Sequence, residues 1–197
     1  MKRKPGTPMV LVAAVVMVAA CGSSSAEPQD VTSTTTSVSP STTTTVPELP
    51  VPEPVPDENA PDPNIRLGRV LIPAIKVDTP LLQGITLKTF DRGAGWWPGT
   101  AMPGEFGNSV IAGHRATAPK PFRYLDKVKP GDEIIFEISA GRFVYVVTKI
   151  EIVDNSAMWI VDQSPNYTAT LFACHPVGST AQRIVVFATL KGHNARV

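Results

Sequence analysis

Between residues 65 and 197 the chain holds one cysteine, Cys174, and three histidines, His114, His175 and His193. A thiol acyl-transfer site needs three things: a cysteine nucleophile, a histidine to move protons, and a donor for the oxyanion that develops. Cys174 ends the apolar run TLFAC, and Arg183 opens the next run, RIVVFATL, after the polar loop HPVGSTAQ. His114 closes the short apolar run NSVIAGH. His175 adjoins Cys174, but neighbours along a strand point to opposite sides, so its ring is expected beside the thiol's groove without a proton-transfer role. His193 lies in the tail KGHNARV and is expected to be solvated, and Arg115 is expected to be a surface charge. Residue types leave a second reading of Cys174 open, because free cysteines are commonly buried core residues. Zinc has less support: Cys174, His175 and His114 show no CxxC or HxxxH spacing.

The other cysteine of the chain is Cys21, and its setting is different. Lys2, Arg3 and Lys4 precede an apolar stretch of 12 residues, Met9 to Ala20, in the pattern of a secretory signal over residues 1–20. Twelve residues are too few for a transmembrane helix, which needs about 20. VAAC followed by GSSS resembles the lipobox of bacterial lipoproteins. That resemblance implies cleavage before Cys21 and a diacylglyceryl thioether on its sulfur, placing the protein, lipid-anchored, on the extracytoplasmic face of the cell membrane. Two acyl chains hold a protein on a bilayer where one binds only marginally. A thioether at Cys21 would also leave Cys174 without an intrachain disulfide partner, a leftover thiol worth weighing for reactivity.

The elements that must position Cys174 begin after a tether. Residues 21–64 hold the lipidated cysteine and then 15 Ser or Thr, nine Pro and seven acids without a single Lys or Arg, a composition expected to be disordered. Residues 65–197 carry 15 bases against 10 acids, dispersed along the sequence, with no nucleic-acid footprint. Within them, GRVLIPAIKVDTPLLQ alternates around two prolines of the kind edge strands tolerate. KPGDEIIFEISAGRFVYVVTKIEIVD reads as turn, strand, hairpin and long strand, and TATLFAC and RIVVFATL as two buried strands. The only helical candidate surrounds PKPFRYLDKV. The fold class is therefore all-β, seven or eight strands with short helices, and periodicity alone leaves a closed barrel and a sandwich both open.

The order NSVIAGHR, TLFAC, loop and Arg resembles the sortases, cysteine transpeptidases of the bacterial surface. In that family a histidine ends one strand, a cysteine ends a TLxTC strand, and an arginine lies on the following strand; by position these fall on His114, Cys174 and Arg183. WWPGTAMPGEFGN, PFRYLDKVKPGDEI and CHPVGSTAQRIVV are similar to the YPGTAMPGxxGN, LxxLxPGD and CHPxxSAxxR motifs of class E sortases of actinobacteria, over residues 67 to 190. Two features depart from the family: Ala173 stands where a threonine is usual, and the anchor looks like a lipoprotein's instead of a transmembrane helix.

The resemblance implies an eight-stranded sortase-like barrel and an enzyme needing no cofactor or metal. Cys174 would attack the Thr–Gly bond of an LPxTG- or LAxTG-type sorting signal. Arg183 would donate to the substrate backbone or oxyanion, and His114 would protonate the leaving amine. The partners implied are surface proteins bearing the signal and an amine of a peptidoglycan precursor or a pilin, with hydrolysis as a side reaction. L,D-transpeptidases share Cys and His, but their SxGCxR signature places the arginine close to the cysteine. NlpC/P60 peptidases put the Cys before the His. A wall-binding lipoprotein with a buried structural Cys174 is the non-enzymatic alternative.

Overall fold

The structure is a computed structural model that describes residues 47–57 and 60–191. The signal segment, Cys21 and His193 lie outside the described residues.

The proline-interrupted run forms two antiparallel strands, β1 (Arg66–Ile72) and β2 (Val77–Gln83), joined by a 3-10 turn over Pro73–Ile75. Pro80 sits in β2 opposite Arg69, while the other side of β2 pairs with β3 (Ala94–Trp96) only from Leu81 onward. A strand proline needs such a one-sided position, because it has no N–H for a second ladder. Between β2 and β3 lies α1, the four-residue helix Leu87–Phe90, whose Thr89 N–H is capped by the Thr86 hydroxyl. Then follow β4 (Gly107–Ala112), β5 (Glu133–Ile138), β6 (Gly141–Asp154), β7 (Tyr167–His175) and β8 (Gln182–Leu190).

The strands close in the order β1-β2-β3-β4-β7-β8-β6-β5, with β5 returning to pair with β1. This decides between barrel and sandwich, and closure leaves no sheet edge open to other chains. Inward residues alternate along the strands: Val70 and Ile72, Ile134 and Phe136, Tyr145 and Val147, Ala169 and Leu171, Ile184 and Val186 are all buried. Each large aliphatic or aromatic side chain among them contributes about 1.5–3 kcal/mol by leaving water. Tyr145 is buried edge-on to Phe136, its hydroxyl accepting the Gly104 N–H at 2.8 Å, and burial pushes its phenol above the usual range. The strands β4 and β7 are parallel neighbours, which is why a long connection through β5 and β6 separates them in sequence.

Two expectations change. PKPFRYLDKV is not an α-helix but a series of turns with one 3-10 turn, Leu125–Lys127, that inserts Phe122 and Leu125 into the core. The last part of the proline-rich tether is not free either. Residues 47–57 lie against the barrel: Glu53 N–H donates to Pro98 O at 2.9 Å, and the Trp97 indole donates to Glu53 O at 2.8 Å. Gly99, at φ +78°, is required by this contact, since a Cβ there would come within 2.3 Å of Val51 O. Proline fixes the extended backbone in advance, so docking it costs less chain entropy than ordering a Ser/Thr stretch.

Candidate active site

Strands β4 and β7 pair with a constant offset of 60 residues, from Gly107 with Tyr167 to Ala112 with Phe172. Past the end of β4, Gly113 N–H still donates to Phe172 O at 3.3 Å, and Arg115 reaches His175. On the other side β7 pairs with β8, where Cys174 lies directly opposite Arg183. His114, Cys174 and Arg183 all line one cavity of about 490 Å³, walled by Phe90, Phe172 and the β7–β8 loop at Thr180. The barrel thus brings together three residues spread over 69 positions of sequence. Cys174 is half-buried and free, and it lines this cavity, so it is not the sealed core thiol of the alternative reading.

His114 is held from the side by α1. Its Nε2 lies 3.1 Å from Asp91 Oδ1, and its ring meets Phe90 edge-to-face with centroids 5.6 Å apart. A carboxylate only accepts, so Nε2 carries the proton, and Nδ1 has no hydrogen-bond partner among the described residues. Arg183 is anchored through one nitrogen: Nη1 donates to Thr180 O at 2.9 Å and Gln182 O at 3.0 Å. Its Nε and Nη2 have no partner among the described residues, which leaves two guanidinium donors for a ligand. Ala173 is buried between the core and the cavity, with no hydroxyl to contribute.

Arg115 corrects the expectation of a surface charge. It is 3% exposed, its Nη2 2.8 Å from Asp126 Oδ1 and its Nη1 2.7 Å from His175 Nδ1, while Nε donates to Arg123 O at 3.5 Å. A guanidinium has no acceptor, so His175 Nδ1 must accept and its proton sits on Nε2. Burial alone would raise the Asp126 carboxyl, but the hydrogen bond and charge of Arg115, with a backbone amide, hold it below its usual value. His175 therefore stands beside the groove, tied to Arg115, as alternation along β7 implied.

An apolar annex of about 240 Å³ continues past Arg183, lined by Ile85, Trp97, Ile160, Val161 and Phe172, with Val55 of the docked segment at its rim. Its outer wall is the β6–β7 connection, which a side-chain network fastens to β4. Asn108 N–H donates to Gln163 Oε1 at 2.9 Å, Gln163 Nε2 donates to Asn108 O at 3.1 Å, and Asn108 Nδ2 donates to Asp162 O at 3.1 Å. Thr170 Oγ1 completes the set with a bond to Asn108 Oδ1 at 2.9 Å. Sequence reasoning missed Asp91, Asn108 and Gln163, which are of common types and carry no motif. Among the described residues no group of three or more His, Cys, Asp or Glu converges as a metal site. No helix among them is long and apolar enough to cross a membrane.

Comparison with known proteins agrees with this geometry. The sortase domain family matches residues 70–191. Sortase SrtE1 of Streptomyces coelicolor is 33% identical over 135 residues, which cover 60% of this chain and 38% of that protein. Sortase D of Bacillus subtilis is 29% identical over 124 residues, 61% of each chain. Among solved structures, a Clostridium perfringens sortase D5 transpeptidase superposes with a TM-score of 0.60 at 32% identity, covering 64% of this chain and 79% of that one. Sortase C1 of GBS pilus island 1 gives 0.61 at 29% identity, covering 64% and 66%. The chain spans less than two thirds of the length of these two curated relatives. The match over residues 70–191, together with a cavity carrying a histidine just past β4, a cysteine from β7 and an arginine from β8, means that this chain belongs to the sortase family.

Proposed function

We propose that the protein is a cysteine transpeptidase, anchored by lipid at Cys21 outside the cell membrane, that acts on LPxTG- or LAxTG-type sorting signals. The observation that carries this reading is the convergence of His114, Cys174 and Arg183 on one cavity with an apolar annex beside it. The annex suits the Leu-Pro or Leu-Ala part of the signal, and the two unpaired donors of Arg183 suit its backbone carbonyls.

In the first half-reaction Cys174 passes its thiol proton to His114 Nδ1 and its thiolate sulfur bonds to the threonine carbonyl carbon, and the carbon–nitrogen bond to glycine breaks. His114 gives a proton to the departing amine, leaving a thioester on Cys174. In the second, an incoming amine attacks the thioester, His114 takes its proton, and the thiolate leaves. The acceptor is an amine of a peptidoglycan precursor or of a pilin, and water in its place gives hydrolysis. His114 keeps Nδ1 available for these transfers because Asp91 occupies Nε2.

The test is to incubate the full chain with sorting-signal peptides and an amine and to follow mass. An acyl-enzyme on Cys174 that an amine discharges is the expected result. Cys174→Ala should form none, and His114→Ala should lose turnover while its thiol still alkylates. A protein that accumulates no acylated species with any such peptide is not a sortase-type transpeptidase.

A further inference from the structure

The largest cavity among those described is not the one that holds Cys174. It is an open groove of about 820 Å³ between the start of β2 and the turns at residues 119–127. Five of its lining residues are basic, Lys76, Arg92, Lys120, Arg123 and Lys127, and the single acid, Asp78, is already paired with Arg69. Arg92 is bound to Asp62, and Lys127 stands 3.7 Å from Asp126. Lys76, Lys120 and Arg123 have no ion-pair partner among the described residues. In sequence these bases look dispersed; the fold collects them from three segments into one concave surface.

A second observation singles out the same residues. Only three non-glycine residues among those described have positive φ, and two are Lys76 at 56° and Lys120 at 45°. A residue with a Cβ pays about 1–2 kcal/mol for that conformation, and neither lysine gains an ion pair in return. Each turn is closed by its own hydrogen bond, Lys76 N–H to Pro73 O and Arg123 N–H to Lys120 O, both 3.1 Å, and together the turns hold two unpaired cations at one groove.

We infer that this groove binds the carboxylates of the amine-bearing acceptor peptide, holding its amine toward His114. The inference rests on the transpeptidase reading above and names where its second substrate sits. Three features favour a carboxylate-rich peptide. The site is a groove, which a peptide can enter and a flat membrane cannot. It adjoins the His114 segment: Arg92 follows Asp91, the partner of His114, and Phe122 N–H donates to His114 O at 3.1 Å. Finally, the apolar annex shares Phe90, Phe172 and Arg183 with the catalytic cavity and no lining residue with this groove, so the two substrates would occupy separate surfaces.

The test uses the full chain with triglutamate and triglutamine as probes, each with a free amino terminus. Triglutamate should bind about tenfold more tightly, an advantage that fades as salt is raised. The combined Lys76→Glu, Lys120→Glu and Arg123→Glu protein should lose that advantage. So should a milder Lys76→Asn, Lys120→Asn protein, since asparagine tolerates the left-handed backbone. As acceptors in turnover, the two peptides should show the same ratio in kcat/KM and the same loss of it. Equal binding of the two probes, or a preference that survives both variants, overturns the assignment. Tighter binding of inorganic phosphate or of vesicles rich in anionic lipid overturns it too. The binding arm needs no turnover, so absence of an acyl-enzyme sinks the transpeptidase reading alone. An acyl-enzyme with no triglutamate preference sinks the groove alone.

Discussion

The ends of β4 and β7 carry two pairs of chemically able residues, and the pairs are treated in opposite ways. His114 and Cys174 face the cavity with bonding capacity left over: Nδ1 of the histidine, the free thiol, and two nitrogens of nearby Arg183. One residue further on in each segment, Arg115 and His175 bond to each other, and a carboxylate and a carbonyl take up the rest of the guanidinium. A buried guanidinium with three partners fixes the spacing of the two strand ends. Unfilled donors above that platform are useful only if the platform does not move. On the proposed function, the difference separates residues that would act on substrate from residues that set where those actors stand.

The first way to break that distinction is at Arg183. Arg183→Lys keeps the charge but loses the planar fork, whose free nitrogens can donate to two acceptors together. Transition-state donors of this kind are worth ~10²–10³ in rate. The expected outcome is a loss of that size in kcat/KM with thermal unfolding nearly unchanged, since the half-buried Arg183 side chain binds only the nearby carbonyls of Thr180 and Gln182. A large fall in melting temperature would move Arg183 to the platform side of the comparison.

Arg115 should behave in the reverse way. Arg115→Met keeps much of the volume and leaves Asp126 and His175 Nδ1 without their donor. Breaking a buried charged network costs several kcal/mol, discounted here to ~2 kcal/mol because Asp126 can rehydrate at its 37% exposure. Melting should fall by roughly 5–10 °C. The pH dependence follows from Asp126, whose carboxyl is held below its usual value in the folded protein. Such a group stabilises the fold above its unfolded value of 3.8, and the contribution is lost as pH falls through the folded one. The gap in melting temperature between the natural protein and the Met variant should therefore narrow on the acid side of about pH 4. A gap that stays constant down to strong acid would mean Arg115 acts by packing alone. His175→Gln in the natural protein, whose side chain can still accept from Arg115, should retain most of the natural stability.

How far the sequence reveals this arrangement differs between the two pairs. The strands were readable because TATLFAC and RIVVFATL are dense in apolar and β-branched residues, and the hairpin of β5 and β6 carries its Gly turn. That His114, Cys174 and Arg183 line one cavity was expected from the resemblance, and each stands at one end of such a run. Arg115 was not, since a charge in a GHR turn looks exposed until its partner Asp126, eleven residues on, is folded beneath it. A signal was nonetheless present: His-Arg and Cys-His stand 60 residues apart, the offset at which β4 and β7 pair. The helix α1, with only four residues, offers no periodicity to detect. Whether a proline-rich segment docks depends on a receiving surface, here Trp97 and Gly99, that composition does not encode.

The smallest effect is expected at Asp91, which touches an acting residue but belongs to neither pair. Its carboxylate is 57% exposed and lies 3.1 Å from His114 Nε2. Asp91→Asn can keep the contact, because the amide oxygen accepts the same N–H, so only the charge is removed. Exposed pairs of this kind are worth about 0.2–1 kcal/mol, which corresponds to a loss in kcat/KM of about 1.4- to fivefold. Asp91→Ala removes the acceptor altogether and leaves Phe90 as the remaining support for the ring from α1. Its loss should be larger, about tenfold, and should fall mainly on kcat, since the imidazole's aim and not substrate binding is disturbed. If Asn is as damaging as Ala, the charge at Asp91 enters proton transfer itself, and the acting set would have to include a fourth member. If both variants match the natural enzyme, the Phe90 ring alone suffices to aim His114, and the hydrogen bond is a surface contact without consequence.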